Sequence, residues 1–288
     1  MSDTRHPILD TLITAIGPCI WGTTYIVTTQ LLPANHPLTA AAVRALPMGL
    51  LMLITLKSQP PRAMWGKLLL LGMLNIGIFQ ALLFISAYRL PGGVAATLGA
   101  IQPLVVGVLS WLVLHQQPTR RSWLAAIAGL SGVALMVLTP SARLDSIGII
   151  AALVGAACTA TGTIFTRKWC GNLDLRTITA WQLSMGGLFL LPLACVFEPP
   201  VANLTWHHLA GFAYLAIAGS GIAYTLWFRG IQKLSVTSVT MLSLLSPVVA
   251  TLIGFLVLDQ QMSHLQLIGA LLVLGSVYAG QIPRKPLK

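Results

Sequence analysis

Arg44 is the one charged side chain lying well inside an apolar run of this sequence, six residues from the start of the stretch 38–56. Six residues are roughly 9 Å of helical rise. An arginine at the centre of a membrane helix costs about 2.5–3.5 kcal/mol on insertion scales, so it needs a partner. Two readings follow. Either the guanidinium reaches outward or grips backbone carbonyls and holds the bundle together, or it attracts the carboxylate of a bound small molecule.

Polar and aromatic side chains are scattered through the other apolar runs. Trp21, Thr24 and Tyr25 share one, Asn75 and Gln80 another, and Gln102 stands in a fourth. The C-terminal half adds Thr161, Thr163, Trp181, Gln182, Tyr224, Trp227, Ser243 and Ser246. Buried amides must be hydrogen-bonded, so Asn75, Gln80 and Gln102 either bridge helices or line a wet cavity. Rings near the ends of spans are more often interface anchors, but Trp21, Tyr224 and Trp227 keep polar neighbours. The candidate substrate-binding set is therefore Trp21, Tyr25, Arg44, Asn75, Gln80, Gln102, Thr163, Tyr224, Trp227 and Ser243. Together they suit a small amphipathic molecule, aromatic or amino-acid-like. Each taken singly is equally a packing residue.

Prolines at 18, 103 and 247 fall inside apolar runs. A proline lacks the amide hydrogen, so Pro103 and Pro247 should free the carbonyls of Gly99 and Ser243 one turn back. Irregular backbone persists in a membrane only where protein, water or ligand satisfies it. Pro18, Pro103 and Pro247 are thus candidate gating positions, the alternative being simple packing kinks.

Other chemistry is missing. The six acids (Asp3, Asp10, Asp145, Asp174, Glu198, Asp259) and the six histidines all fall in tails, connections or helix ends. Proton-coupled carriers relay protons through buried groups of these types. Their placement predicts facilitated diffusion, or coupling carried by the substrate itself. Cys19, Cys158, Cys170 and Cys195 show no CxxC spacing and read as small buried residues. His207 and His208 are neighbours, about 100° apart on a helix, and make a poor metal pair. There is no nucleotide loop or nucleophilic constellation, so no cofactor and no metal are expected.

These residues must be held by membrane helices. The 288 residues are 56% hydrophobic and 8% charged, with a mean hydropathy of +0.83. A soluble domain carries roughly a quarter of its residues as charges. Ten apolar runs recur, near 9–30, 38–56, 65–88, 93–114, 121–138, 147–166, 177–197, 208–228, 235–258 and 264–281. Each approaches the ~20 residues that cross the hydrocarbon, and the first is too long for a signal-peptide core, so it reads as a retained helix. The net charge of +11 comes from basic residues in short connections rather than on one face, which argues against nucleic acid. Fourteen Lys and Arg fall on the side of the N-tail, and only Arg89 and Arg143 on the other. That split predicts both termini in the cytoplasm.

The halves also resemble each other. A shift of 144 lays 94–135 on 238–279 without a gap, with eleven identities, Pro103 on Pro247, and Leu-Val-Leu-x-Gln-Gln (112–117) on 256–261. Gly77-Ile78 then falls on Gly221-Ile222; near the N-termini a shift near 140 pairs Gly22-Thr23 with Gly162-Thr163. Five spans per copy force the second copy in upside down, the arrangement that permits opening to either side in turn. The fold expected is an all-α membrane protein of about ten helices in two inverted five-helix repeats.

Trp21-Gly22, Arg44, and a Pro followed by Leu-x-Gln and a Gly-rich last helix resemble the EamA family of the drug/metabolite transporter superfamily. The stretches 21–30 (WGTTYIVTTQ) and 44–47 (RALP) look closest to its PecM-like members, associated with pigment or metabolite export. The resemblance implies EamA-like repeats at 1–140 and 141–288, and a carrier in the bacterial inner membrane, often an exporter of small metabolites. One departure stands out. Members commonly carry Gly-Glu after the fourth and ninth spans, where this chain has His115-Gln116 and Asp259-Gln260. A role resting on the glutamate's charge is thereby in doubt, while a helix-capping role is not.

The expected function is therefore export of small organic metabolites by alternating access, with a small-molecule substrate and the lipid bilayer as partners. Two alternatives stay open. One is an intramembrane enzyme on a lipid-linked substrate, for which Glu198, His207 and His208 are the only loosely grouped acid–base residues. The other is a non-transporting regulatory protein.

Overall fold

Helix-capping residues mark where several of the spans begin. In the computed structural model, which describes residues 7–56, 59–90, 92–137, 145–257 and 263–282, Asp145 accepts from Gly148 N (2.7 Å) and Asp174 from Thr177 N (3.2 Å). Thr205 with His208, and Ser263 with Gln266, form capping boxes. The helices are α1 (Pro7–Leu31), α2 (Pro37–Ile54), α3 (Arg62–Gly72), α4 (Ile78–Arg89), α5 (Gly92–Gly99), α6 (Gln102–Leu114) and α7 (Arg120–Val137). The second half supplies α8 (Ser146–Cys170), α9 (Leu175–Phe197), α10 (Trp206–Ala216), α11 (Ala223–Lys233), α12 (Val236–Leu242), α13 (Leu245–Val257) and α14 (His264–Gln281).

These fourteen helices make ten spans. α3 and α4 are joined through a π turn, Met73–Gly77, and α10 and α11 through another, Ile217–Ile222. α5–α6 and α12–α13 are single spans broken in the middle. Among the described residues, nine helical segments are long and apolar enough to cross a membrane. The tenth span, α7, opens on Arg120-Arg121 and packs along α14. Outward faces carry exposed apolar side chains such as Leu124, Ile150, Leu256 and Leu271, the surface that lipid covers. Cys170 is buried as expected, but Cys195 is exposed on α9, where apolar surroundings cost a thiol little.

Packing between the halves is reciprocal. α2 lies on α9 and α7 on α14; α1 packs against α11 and α13, just as α8 packs against α4 and α6. The interruptions repeat as well. A shift of 144 carries the first π turn onto the second, and carries the break at 100–101 to within one residue of the break at 243–244. The chain is thus an inverted-repeat bundle of ten spans.

Small residues allow the closest approaches. A Cβ on Gly132 would lie 2.8 Å from Gly269 O, and one on Gly269 would lie 2.6 Å from Gly132 O, so α7 and α14 touch backbone to backbone. The Gly129–Gly132 face is therefore used inside the bundle.

One inter-repeat contact replaces a missing cap. The side chain of His36, the N-cap of α2, makes no capping bond and pairs through Nδ1 with Ala34 O (2.6 Å). Instead Glu198, at the end of α9, accepts from Leu38 N (2.5 Å), Thr39 N (2.8 Å) and the Thr39 hydroxyl (2.7 Å). A carboxylate there satisfies orphan amides and meets the positive end of the helix dipole. At the end of α6, His115 takes φ 55° and Gln116 N donates to Ser110 O (3.1 Å). The cap after the fourth span is thus made by backbone, in the left-handed position glycine prefers. Asp259-Gln260 and Arg143 lie outside the described residues.

Candidate substrate cavity

Both described ends of the chain lie on one face, where the Thr11 hydroxyl donates to Gln281 Oε1 (3.4 Å). That face is cross-linked. Arg229 pairs with Asp10, and Arg167 Nη1 donates to the last carbonyls of α11, Ile231 O (2.5 Å) and Gln232 O (2.6 Å). Gln232 Nε2 donates in turn to Leu173 O (2.9 Å). From mid-membrane towards the opposite face the bundle is hollow. A cavity of about 630 Å³ runs from Trp21 along α1 to the exposed Thr29 and Ala34.

The walls follow from sequence. On α1, Trp21, Tyr25 and Thr28 recur at helical spacing and face one way, and Leu32 just past its end continues the stripe. On α8, Ala151, Ala152, Gly155, Ala156 and Thr159 form a stripe of small side chains that leaves the space empty. The broken spans contribute Gly99, Ala100 and Gln102 from one repeat, and Ser243, Leu244, Ser246 and Pro247 from the other.

The floor is aromatic. Trp21 packs on Tyr224 (ring centroids 5.0 Å) and Trp227 (5.2 Å), both tilted. Trp21 Nε1 and Arg44 Nη2 donate to the same acceptor, Gly219 O, at 3.0 and 3.1 Å. Gly219 lies within the second π turn, where the helical ladder is widened. Arg44 is only 3% exposed, its Nε has no partner, and Tyr224, Tyr25 and Tyr214 surround it. Among the described lining residues there is no Asp or Glu.

Eight of the ten predicted binding residues line this cavity: Trp21, Tyr25, Arg44, Asn75, Gln102, Tyr224, Trp227 and Ser243. Gln80 does not. It is fully buried behind the wall and donates through Nε2 to the Tyr224 hydroxyl (3.3 Å). Thr163 is also fully buried and outside the lining. Asn75 both lines the cavity and bridges helices, donating to Gln182 Oε1 (2.7 Å) and Thr166 Oγ1 (3.1 Å).

The prolines divide. Pro247 lines the cavity and Pro103 is buried beside Gln102 at the matching break. The Ser243 carbonyl is not free, because Ser246 N donates to it (3.1 Å) in a tightened turn. α1 runs through Pro18 as one helix, and Pro18 is buried outside the lining.

Sequence reasoning missed Thr28, Ser86, Phe79, Phe84, Phe228 and Thr159, all of which line the cavity. The signal for Thr28 was present: it extends the Trp21–Tyr25 stripe by one turn. Glu198 and His208, grouped loosely for acid–base work, are both spent on helix ends; His208 Nδ1 accepts from Thr205 N (3.3 Å).

Inverted repeats, each with a broken span, enclosing a central cavity open to one face describe a membrane carrier. Comparison with known proteins agrees. The model of the EamA-like transporter family matches twice, at residues 11–138 and 146–279, and the chain belongs to that family. It is 44% identical over 263 residues to protein PecM of Dickeya dadantii, covering 91% of this chain and 88% of that one. It is 28% identical over 290 residues to an uncharacterized transporter of a Synechocystis species, covering 92% and 88%. It is also 24% identical over 273 residues to the uncharacterized transporter YvbV of Bacillus subtilis, covering 92% and 89%. A crystal structure of a protein shares the fold, with a TM-score of 0.80 at 19% identity over 94% of this chain and 95% of that one. The chain is a membrane transporter and not an enzyme.

Proposed function

We propose that this transporter exports small organic metabolites, aromatic or amino-acid-like, across the bacterial inner membrane by alternating access. The observation that carries the reading is the cavity itself: about 630 Å³, floored by Trp21, Tyr224 and Trp227, with the buried Arg44 in its lining. A site of that size, largely apolar with a few convergent polar groups, takes a small organic molecule. In this reading both termini are cytoplasmic, residues 1–140 and 141–288 are the two exchanging halves, and the cavity faces outward.

Transport runs without a proton relay. The described acids support this: Asp10 pairs with Arg229, Asp145 and Asp174 cap their own helices, and Glu198 caps α2. None lines the cavity. The test is efflux and resistance in overexpressing cells across aromatic metabolites and amino acids. Wild type lowers retention of at least one compound, and Trp227→Ala at equal expression does not. Equal retention of every compound with and without the protein would refute export.

A further inference from the structure

The export reading, on which this inference rests, says nothing of the cargo's charge or of what drives it. Arg44 bears on both. Its guanidinium is buried in the cavity wall beside Trp21, with which it shares an acceptor; Nη2 donates to Gly219 O, and Nε donates to nothing. An unpaired ion in a low-dielectric site costs several kcal/mol. Arginine matches a carboxylate with two parallel N–H donors, and here one of those N–H groups is free. Near the guanidinium stand Tyr25, Tyr214 and Tyr224, with the ring of Trp21 packed on those of Tyr224 and Trp227.

We infer that the cavity is built for an aromatic monoanion, a carboxylate carried on a flat ring, and that the membrane potential drives its export. A zwitterionic amino acid would also place a carboxylate on Arg44, but its ammonium would add a second positive charge to the site, and no Asp or Glu is among the described lining residues to offset it. The other unpartnered polar atoms of the wall, the hydroxyls of Thr24, Thr28 and Ser86, are neutral. An ammonium would therefore be desolvated beside a fixed positive charge. The anion neutralises Arg44 while it occupies the site, and the empty carrier returns with Arg44 uncompensated. Each cycle moves one negative charge outward, and a potential of 100 mV, negative inside, sustains roughly a 50-fold outward excess of such an ion.

The test uses the full chain in proteoliposomes with a potassium diffusion potential, and four probes sharing a phenol ring: 4-hydroxyphenylacetate, tyrosine, tyramine and tyrosol. The expected result is movement of 4-hydroxyphenylacetate towards the positive side, reversed when the potential is reversed, at least ~10-fold faster than tyrosine, the scale of one charge-assisted contact. Arg44→Gln removes that preference. Thr24→Asp, which puts a carboxylate into the wall, lowers 4-hydroxyphenylacetate flux by a similar factor and narrows the gap to tyrosine, giving a second readout if Arg44→Gln does not fold. Best transport of tyrosine, tyramine or tyrosol, or 4-hydroxyphenylacetate flux indifferent to the potential, overturns the inference and leaves the transporter reading intact. Movement of none of the four by well-folded wild type overturns the inference and, with it, the aromatic cargo of the export reading.

Discussion

Asn75 and Gly219 occupy the same place in the two π turns, 144 residues apart, and each ties its turn to the second span of the opposite repeat. Asn75 does so by its side chain, donating to Gln182 of α9 (2.7 Å). Gly219 does so by its carbonyl, accepting from Arg44 of α2 (3.1 Å). The fold is symmetric in backbone, and the chemistry at the symmetric points differs. One link is a saturated amide network, and the other leaves a cation with capacity to spare.

The saturated link should behave as structure. Asn75→Ala strands the Gln182 acyl oxygen and should cost about 1–3 kcal/mol, read as a lowered unfolding midpoint in detergent. Gly162 packs directly on the Asn75 amide, so Gly162→Ala should destabilise comparably, by crowding rather than by loss. The double variant should cost less than the sum of the singles, because the clash disappears with the amide. Additive costs would mean that the two residues do not act on each other.

The Glu198 cap is a link between repeats, and its removal should be felt at α2. Glu198→Ala leaves Leu38 N and Thr39 N unpaired and should lower stability by about 1–2 kcal/mol, the scale of a lost N-cap. Glu198→Gln retains an acceptor without the charge and should cost less. Thermal unfolding of the two purified variants decides the order. Equal losses would show that the charge contributes nothing.

His115 predicts a gain. It holds φ 55° at the end of α6, a conformation that costs an L-residue roughly 1–2 kcal/mol and glycine almost nothing. His115→Gly should therefore raise the unfolding midpoint by an amount worth about 1 kcal/mol, with transport unchanged. A loss of stability would mean that the imidazole makes a contact of its own.

Much of this was legible in the sequence because a membrane makes polar residues conspicuous. Arg44, Asn75, Gln102, Tyr224 and Ser243 stand out in apolar runs, and all five line the cavity. Thr28 and Thr159 did not stand out, because a threonine hydroxyl in a helix is readily satisfied by its own preceding turn, as Thr161 shows by donating to Ala157 O (2.8 Å). The π turns left no periodic mark; Gly77-Ile78 and Gly221-Ile222 were visible only as repeated punctuation. Glu198 read as part of a local acid–base group, yet its partners Leu38 and Thr39 lie about 160 residues away in sequence. Contacts of that range depend on the packing of α2 on α9, which no local pattern encodes.

The repeat also predicts the cavity that is now closed. At the shift of 140 that aligns the first spans, Thr159 of the open wall falls on Cys19 of α1. When the halves exchange, Cys19 should line the cavity opening on the face of the chain ends, the face now held by Arg229 and Asp10. In a background of Cys158→Ser, Cys170→Ser and Cys195→Ser, a membrane-impermeant maleimide from that face should label Cys19 slowly. Arg229→Gln breaks a largely buried ion pair. A shift of one or two kcal/mol towards the exchanged state corresponds to a roughly five- to thirty-fold gain in the labelling rate. Asp10→Asn should do the same. A Thr159→Cys reporter, with Cys19 replaced by Ser, should lose reactivity from the opposite face in either variant, as the proposed alternating access requires. Simultaneous gains at both positions would indicate a loosened bundle, and no change at either would show that the ion pair does not hold that face shut.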